Sequence, residues 1–137
     1  YVIGGLGALL RYKNKPMTVV VDNAKYELPK AQSVVVANCQ YFGGGMQMAP
    51  SASPTDGVFD VILIKNAGKF ETMRGMNDIR GGKHLDQANP NYELVYGKRI
   101  SVASPEKVRL DIDGEAIGFL PALFEIQPGA IEFVTPR

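Results

Sequence analysis

An antiparallel β-sandwich with one inserted α-helix is the fold class the sequence predicts, and three observations predict it. Short alternating or β-branched runs recur along the whole chain, as strands require. Fifteen Gly and nine Pro among 137 residues punctuate those runs, which argues against a helical bundle. Only two stretches carry helical spacing. At this length a single domain over residues 1–137 is expected, burying about two-thirds of its unfolded surface without staples.

The first helical stretch, residues 1–12, carries Leu6, Leu9 and Leu10 but is weakened by three early glycines. It has no basic leader and no initiator Met, so it reads as the start of a piece of a longer chain, not as a signal peptide. Met17-Thr18-Val19-Val20-Val21, then Asp22-Asn23-Ala24, then Lys25-Tyr26-Glu27-Leu28 predicts a hairpin with a tight polar turn. Ser33-Val34-Val35-Val36-Ala37-Asn38 and Val58-Phe59-Asp60-Val61-Ile62-Leu63-Ile64 are continuous apolar runs of strand length, which predicts burial on both faces. Residues 69–79 form the second helical stretch, with Phe70, Met73, Met76 and Ile79 on one face and Gly81-Gly82 as the stop. The runs 94–102 and 107–113 alternate more cleanly, and 119–126 and 130–134 close the series around Gln127-Pro128-Gly129. Roughly eight or nine strands and an inserted helix make a sandwich or half-open barrel.

Charge and cysteine usage exclude several functions. Fifteen Lys+Arg against fourteen Asp+Glu, with no basic cluster, offers no footprint for nucleic acid. Lys13-Asn14-Lys15 and Lys98-Arg99 read as solvated turns. The single Cys39 excludes an internal disulfide or a Cys-based zinc site and fits a reducing, cytoplasmic compartment. No run of apolar residues is long enough to span a bilayer as a helix. With His84 the only histidine and no nucleophile elbow, a hydrolase triad has no support.

Four constellations can carry chemistry. In Asp111-Ile112-Asp113-Gly114-Glu115, strand alternation puts Asp111 and Asp113 on one face and Ile112 toward the core. Crowded carboxylates there would suit a general base or a Mg²⁺ ligand; an acidic hairpin with Asp-Gly at its tip is the plain alternative. Gln40-Tyr41-Phe42-Gly43-Gly44-Gly45-Met46 lacks the residues of a P-loop and reads as a bulge or tight crossover more readily than as a phosphate cradle. The loop 49–57 ends in Asp56-Gly57, either an Asx-turn or, with backbone carbonyls, a seat for a hard cation. His84 reads as a surface residue or one placed by the dipole at the helix C-terminus, and the Met-bearing face as core or as a surface for flexible acyl chains.

In order along the chain stand Val36-Ala37-Asn38-Cys39-Gln40-Tyr41-Phe42-Gly43-Gly44-Gly45-Met46-Gln47-Met48-Ala49-Pro50 and Asp56-Gly57-Val58-Phe59-Asp60-Val61. They are followed by Gly81-Gly82-Lys83-His84, Asp111-Ile112-Asp113-Gly114-Glu115, Leu120-Pro121-Ala122 and Gln127-Pro128-Gly129-Ala130. This series, over residues 12–136, resembles the C-terminal domain of the diacylglycerol kinase and sphingosine kinase superfamily, specifically the soluble bacterial lipid kinases. The resemblance implies the β-sandwich half of a two-domain enzyme that transfers the γ-phosphoryl of ATP to a lipid hydroxyl. The other half, an N-terminal nucleotide-binding domain with a Gly-Gly-Asp-Gly motif, is absent here, so the chain alone is expected to be inactive.

By the same resemblance Glu115 is the proton acceptor. Asp113 and Gly114 face nucleotide and metal, and Asp56 holds a structural Mg²⁺ with the carbonyls of Ser53 and Val58. Ser53 replaces a commoner longer residue, and Cys39-Gln40 stands where Gly-Arg is common. Met73, Met76, Ile79 and His84 match the lipid pocket. The implied partners are a lipid substrate, ATP and a membrane touched from the cytoplasmic side, with a homodimer left open. The residues alone also leave open a non-catalytic lipid- or membrane-binding sandwich, and an interaction domain whose acidic hairpin is a solvated turn.

Overall fold

The computed structural model describes residues 13–66, 78–85 and 89–132. The expected helix 1–12, most of the helix 69–79 with Phe70, Met73 and Met76, and Val134 lie outside the described residues.

Strand β1 (Lys15–Val21) turns through Asp22 and Asn23 into β2 (Ala24–Ala31), with Val21 opposite Ala24. The predicted hairpin is present. Strand β3 (Ser33–Ala37) leads to a small hairpin, β4 (Tyr41–Phe42) and β5 (Met46–Gln47), and then to β6 (Phe59–Ile64). After a 3₁₀ turn at Lys83–Leu85 come β7 (Tyr92–Gly97), β8 (Arg99–Ala103), β9 (Arg109–Ile112), β10 (Glu115–Phe119) and β11 (Ala122–Glu125). The strands form a four-stranded sheet β11-β8-β1-β2, a three-stranded sheet β3-β6-β7 and the two-stranded pairs β10-β9 and β4-β5. Every pairing is antiparallel.

The main core explains why these sheets face each other. Met17, Val19 and Val21 of β1 alternate inward with Leu28, Ala31, Ile100 and Val102 and meet Val61 and Leu63 of β6. Strand β6 carries apolar residues in the other phase as well. Ile62 and Ile64 point to its opposite face, into a second core with Met48, Ala49, Ala52 and Ile79. The uninterrupted apolar run therefore does mean burial on both faces. For β3 the same expectation holds only halfway, because this strand is at the sheet edge and every residue of it is half-buried.

Several strand limits differ from expectation, each for a non-local reason. The run 94–102 is two strands in two different sheets, broken at Lys98. There the Asp22 carboxylate accepts from the amides of Lys98 (3.0 Å) and Arg99 (2.9 Å), which turns the chain from one sheet to the other. Gly97 permits the close approach: a Cβ at this position would stand 2.4 Å from Val21 Cγ1. The run 119–126 divides at Pro121, which has no amide to donate, so β11 starts at Ala122. Ala130, Ile131 and Glu132 belong to no strand, and Ile131 is 71% exposed.

Candidate functional site

The Asp-Gly turn between β9 and β10 takes its shape from two residues of positive φ, Asp113 (49°) and Gly114 (86°). Asp and Gly tolerate that region, which a two-residue hairpin turn demands. The register then sorts the carboxylates. Ile112 lies opposite Glu115 and Asp111 opposite Ala116, so Asp111 and Glu115 occupy opposite faces of the hairpin. Asp111 is paired with Arg109 (3.3 Å), its neighbour on the same face. The predicted crowd of three acids is thus dispersed. Among the described residues no group of three His, Cys, Asp or Glu side chains gathers to hold a metal. Ile112 is not in the core but 41% exposed, because this pair of strands stands apart from both main sheets. The side chains of Asp113 and Glu115 are left exposed, with no hydrogen bond or ion pair to another described residue. On the other face Lys107 stacks over the Phe119 ring at 4.0 Å.

The loop into β6 holds the second set of oxygens. Asp56 Oδ1 accepts from the Val58 amide (3.1 Å), an Asx-turn, while the Asp56 amide donates to the Ser53 carbonyl (3.4 Å). Gly57 sits at φ 73°, against Pro128. Sequence reasoning missed the residue beneath this loop. Asp60 is 1% exposed; its Oδ2 accepts from the Ser51 hydroxyl at 2.5 Å, and its Oδ1 has no partner. Burial raises its pKa, the Ser51 bond opposes that, and the Asp56 charge adds to it. A lone acid inside an apolar strand run was the available signal.

The third region lies over the second core. The helical end at residues 78–80 stops as expected, with the Gly81 amide bonded to the Asp78 carbonyl and Gly82 at φ 67°. His84 is buried, not a surface residue: its Nε2 lies 2.8 Å from the Met48 carbonyl oxygen, and its ring meets Tyr92 edge-on at 5.3 Å. Burial lowers its pKa, offset in part by the backbone of Met48 and Asp78. Ile79 packs in the second core. An open groove of about 410 Å³ is lined by Pro50, Ser51, Gly82, Lys83, Leu85 and Leu94, and neither Ile79 nor His84 is among its lining residues. The glycine-rich segment is neither a bulge nor a crossover. Gly44 (φ 72°) and Gly45 (φ 76°) turn the β4-β5 hairpin, which carries Tyr41 and Phe42 exposed.

A profile described as the YegS C-terminal NAD kinase beta sandwich-like domain matches residues 1–135. The chain belongs to this family. Within it, a diacylglycerol kinase of Bacillus subtilis is 33% identical over 97 residues, 69% of this chain and 31% of that protein. A diacylglycerol kinase of Mycobacterium tuberculosis is 24% identical over all 137 residues but only 43% of its own length. A crystal structure of a diacylglycerol kinase from Bacillus anthracis superposes with a TM-score of 0.70 at 25% identity, covering 90% of this chain and 43% of that one. The YegS-type domain described here therefore spans less than half the length of the curated relatives it matches. Among the described residues, no helix is long and apolar enough to cross a membrane.

Proposed function

We infer that this chain is the lipid-side domain of an ATP- and Mg²⁺-dependent lipid kinase, which transfers the γ-phosphoryl to a hydroxyl of diacylglycerol or a related lipid. One observation carries the reading. In this YegS-type domain, the Asp113-Gly114-Glu115 turn stands clear of both cores, and neither carboxylate is bonded to another described residue. Phosphoryl transfer to an alcohol needs a carboxylate that can reach the substrate and take its proton, and positioning does most of the rest. Glu115 is assigned that role. Asp113 and Gly114 face the nucleotide, most of whose contacts come from a domain outside this chain. The chain alone is accordingly inactive, and the full-length kinase works on the cytoplasmic side of a membrane.

The residues present fit a structural Mg²⁺. Asp56 offers a carboxylate, and Ser53 and Val58 offer carbonyls, a set of hard oxygens beside the orphaned Asp60 Oδ1. The ion would supply positive charge to a loop that otherwise carries two neighbouring acids. Lipid would enter by the groove lined by Pro50, Leu85 and Leu94.

Full-length protein supplied with ATP, Mg²⁺ and diacylglycerol should give labelled phosphatidate, and Glu115→Gln should not. Turnover by that variant at the parent rate removes Glu115 from the mechanism. A sandwich that only binds lipid would form no product and would keep its lipid affinity in the Asp113→Asn, Glu115→Gln double variant.

A further inference from the structure

From residue 31 to residue 55 the chain contains no Lys, Arg, Asp, Glu or His. In a protein with 21% charged residues such a run needs a cause. Burial explains only part of it. Strand β3 is half-buried, and Met48, Ala49 and Ala52 belong to the second core. The β4-β5 hairpin between them is exposed, with Tyr41 at 59% and Phe42 at 49%, and no atom of another described residue lies within 4 Å of where a Cβ would stand at Gly43, Gly44 or Gly45. Two aromatic rings thus sit exposed on an uncharged turn whose base is held by Met46 against the second core.

The surroundings point to one occupant. The hairpin is rooted at the mouth of the groove, where Gln47 Oε1 and Pro50 close around Gly82. Exposed Tyr96 stands at the same mouth, with its hydroxyl 3.3 Å from Ser51 Oγ. Lys83 lines the groove, and Arg80 is exposed just before it, against one exposed acid among the described residues of this segment, Asp78. Aromatic rings with a polar edge, no formal charge and flanking cations match the boundary between acyl chains and anionic headgroups.

We propose that the β4-β5 hairpin is a membrane-docking wedge: Tyr41 and Phe42 enter the interfacial layer of an anionic bilayer, while Lys83 and Arg80 meet the headgroup phosphates and the groove opens onto the lipid. The proposal deepens the lipid-kinase reading and rests on it for the meaning of the groove. The docking itself can be tested separately.

Full-length protein is sedimented with vesicles of phosphatidylcholine containing phosphatidylglycerol. Tyr41→Ser with Phe42→Ser should weaken binding about tenfold or more, since two buried rings are lost. Leu123→Ser, a change at an exposed apolar residue on β11, should leave it unaltered. Lys83→Gln should weaken binding about fivefold on these vesicles and not on phosphatidylcholine alone. The chain has no Trp, so in the chain itself Phe42→Trp gives a fluorophore at the wedge alone, whose emission should shift to the blue with vesicles. Equal binding by parent and double variant, or no vesicle binding by the parent, overturns the wedge. So does a parent that dimerises through these rings while the variant does not. Turnover of a short-chain diacylglycerol in solution should be equal in parent and double variant. If neither turns it over, yet the double variant loses vesicle binding, the wedge stands and the kinase reading falls.

Discussion

Two turns in this molecule are built alike and used differently. The β1-β2 and β9-β10 hairpins each place an aspartate at positive φ, Asp22 at 52° and Asp113 at 49°. The first is absorbed into the architecture: its carboxylate accepts two amides from the Lys98-Arg99 link, far along the chain, and its strands form the wall of the main core. The second bonds to nothing described, and its strands stand apart as a two-stranded sheet. Turn chemistry therefore does not say whether an acid serves the fold or faces outward. Its partners do.

The largest effect that would sharpen this contrast is on activity. On the proposed kinase reading, Glu115→Gln in the full-length protein should lower kcat by about 10²–10⁴-fold, the span of a lost general base. Its thermal unfolding should move by no more than an exposed change does, within about 0.5 kcal/mol. Asp22→Ala should do the reverse. Two amides lose their acceptor and an alanine is left at positive φ, for about 2–3 kcal/mol of lost stability by denaturant titration. Asp22→Asn, which keeps an acceptor and tolerates the turn, should recover much of it. A stable Asp22→Ala protein would break the comparison. At the other turn Asp113→Asn should cost under about 0.5 kcal/mol.

The smallest effect is a pH response belonging to neither turn. Burial holds the His84 pKa below its ordinary value, so the unfolded chain takes this proton first. The contribution is complete above about pH 6.5 and is lost as the pH falls below it. The melting temperature should decline from pH 7 to pH 5, and His84→Gln should flatten that slope. An unchanged slope would remove His84 as its source.

The sequence made legible whatever local chemistry decides. Asp22-Asn23 announced its hairpin, the unbroken run ahead of Lys65 announced a strand covered on both sides, and Gly81-Gly82 announced the end of a helix. What stayed hidden depends on distant partners. Nothing near Lys98 says that Asp22 will capture its amide and divide one alternating run between two sheets. Strand alternation placed Ile112 inward, but alternation gives phase, not which face another layer covers. His84 was misread because the Met48 carbonyl that receives it is contributed by a loop remote in sequence. At the site, the Asp113-Gly114-Glu115 turn was visible as a motif, whereas its separation from Asp111 required the register of β9 against β10. Asp60 was passed over as one polar residue in an apolar run.

That residue bears on how β6 finds its place. A strand with one greasy face is punished for slipping by one position, because its polar residues would turn inward. Strand β6 lacks this safeguard after Asp60, since Val61, Ile62, Leu63 and Ile64 would suit either side equally well. The information must come from elsewhere, and Asp60 supplies it: in only one alignment, with Ala37 on one side and Tyr96 on the other, does its carboxylate meet the Ser51 hydroxyl. A costly buried acid thus gives an otherwise ambiguous strand its single correct setting, and with it the positions of the loops on either side.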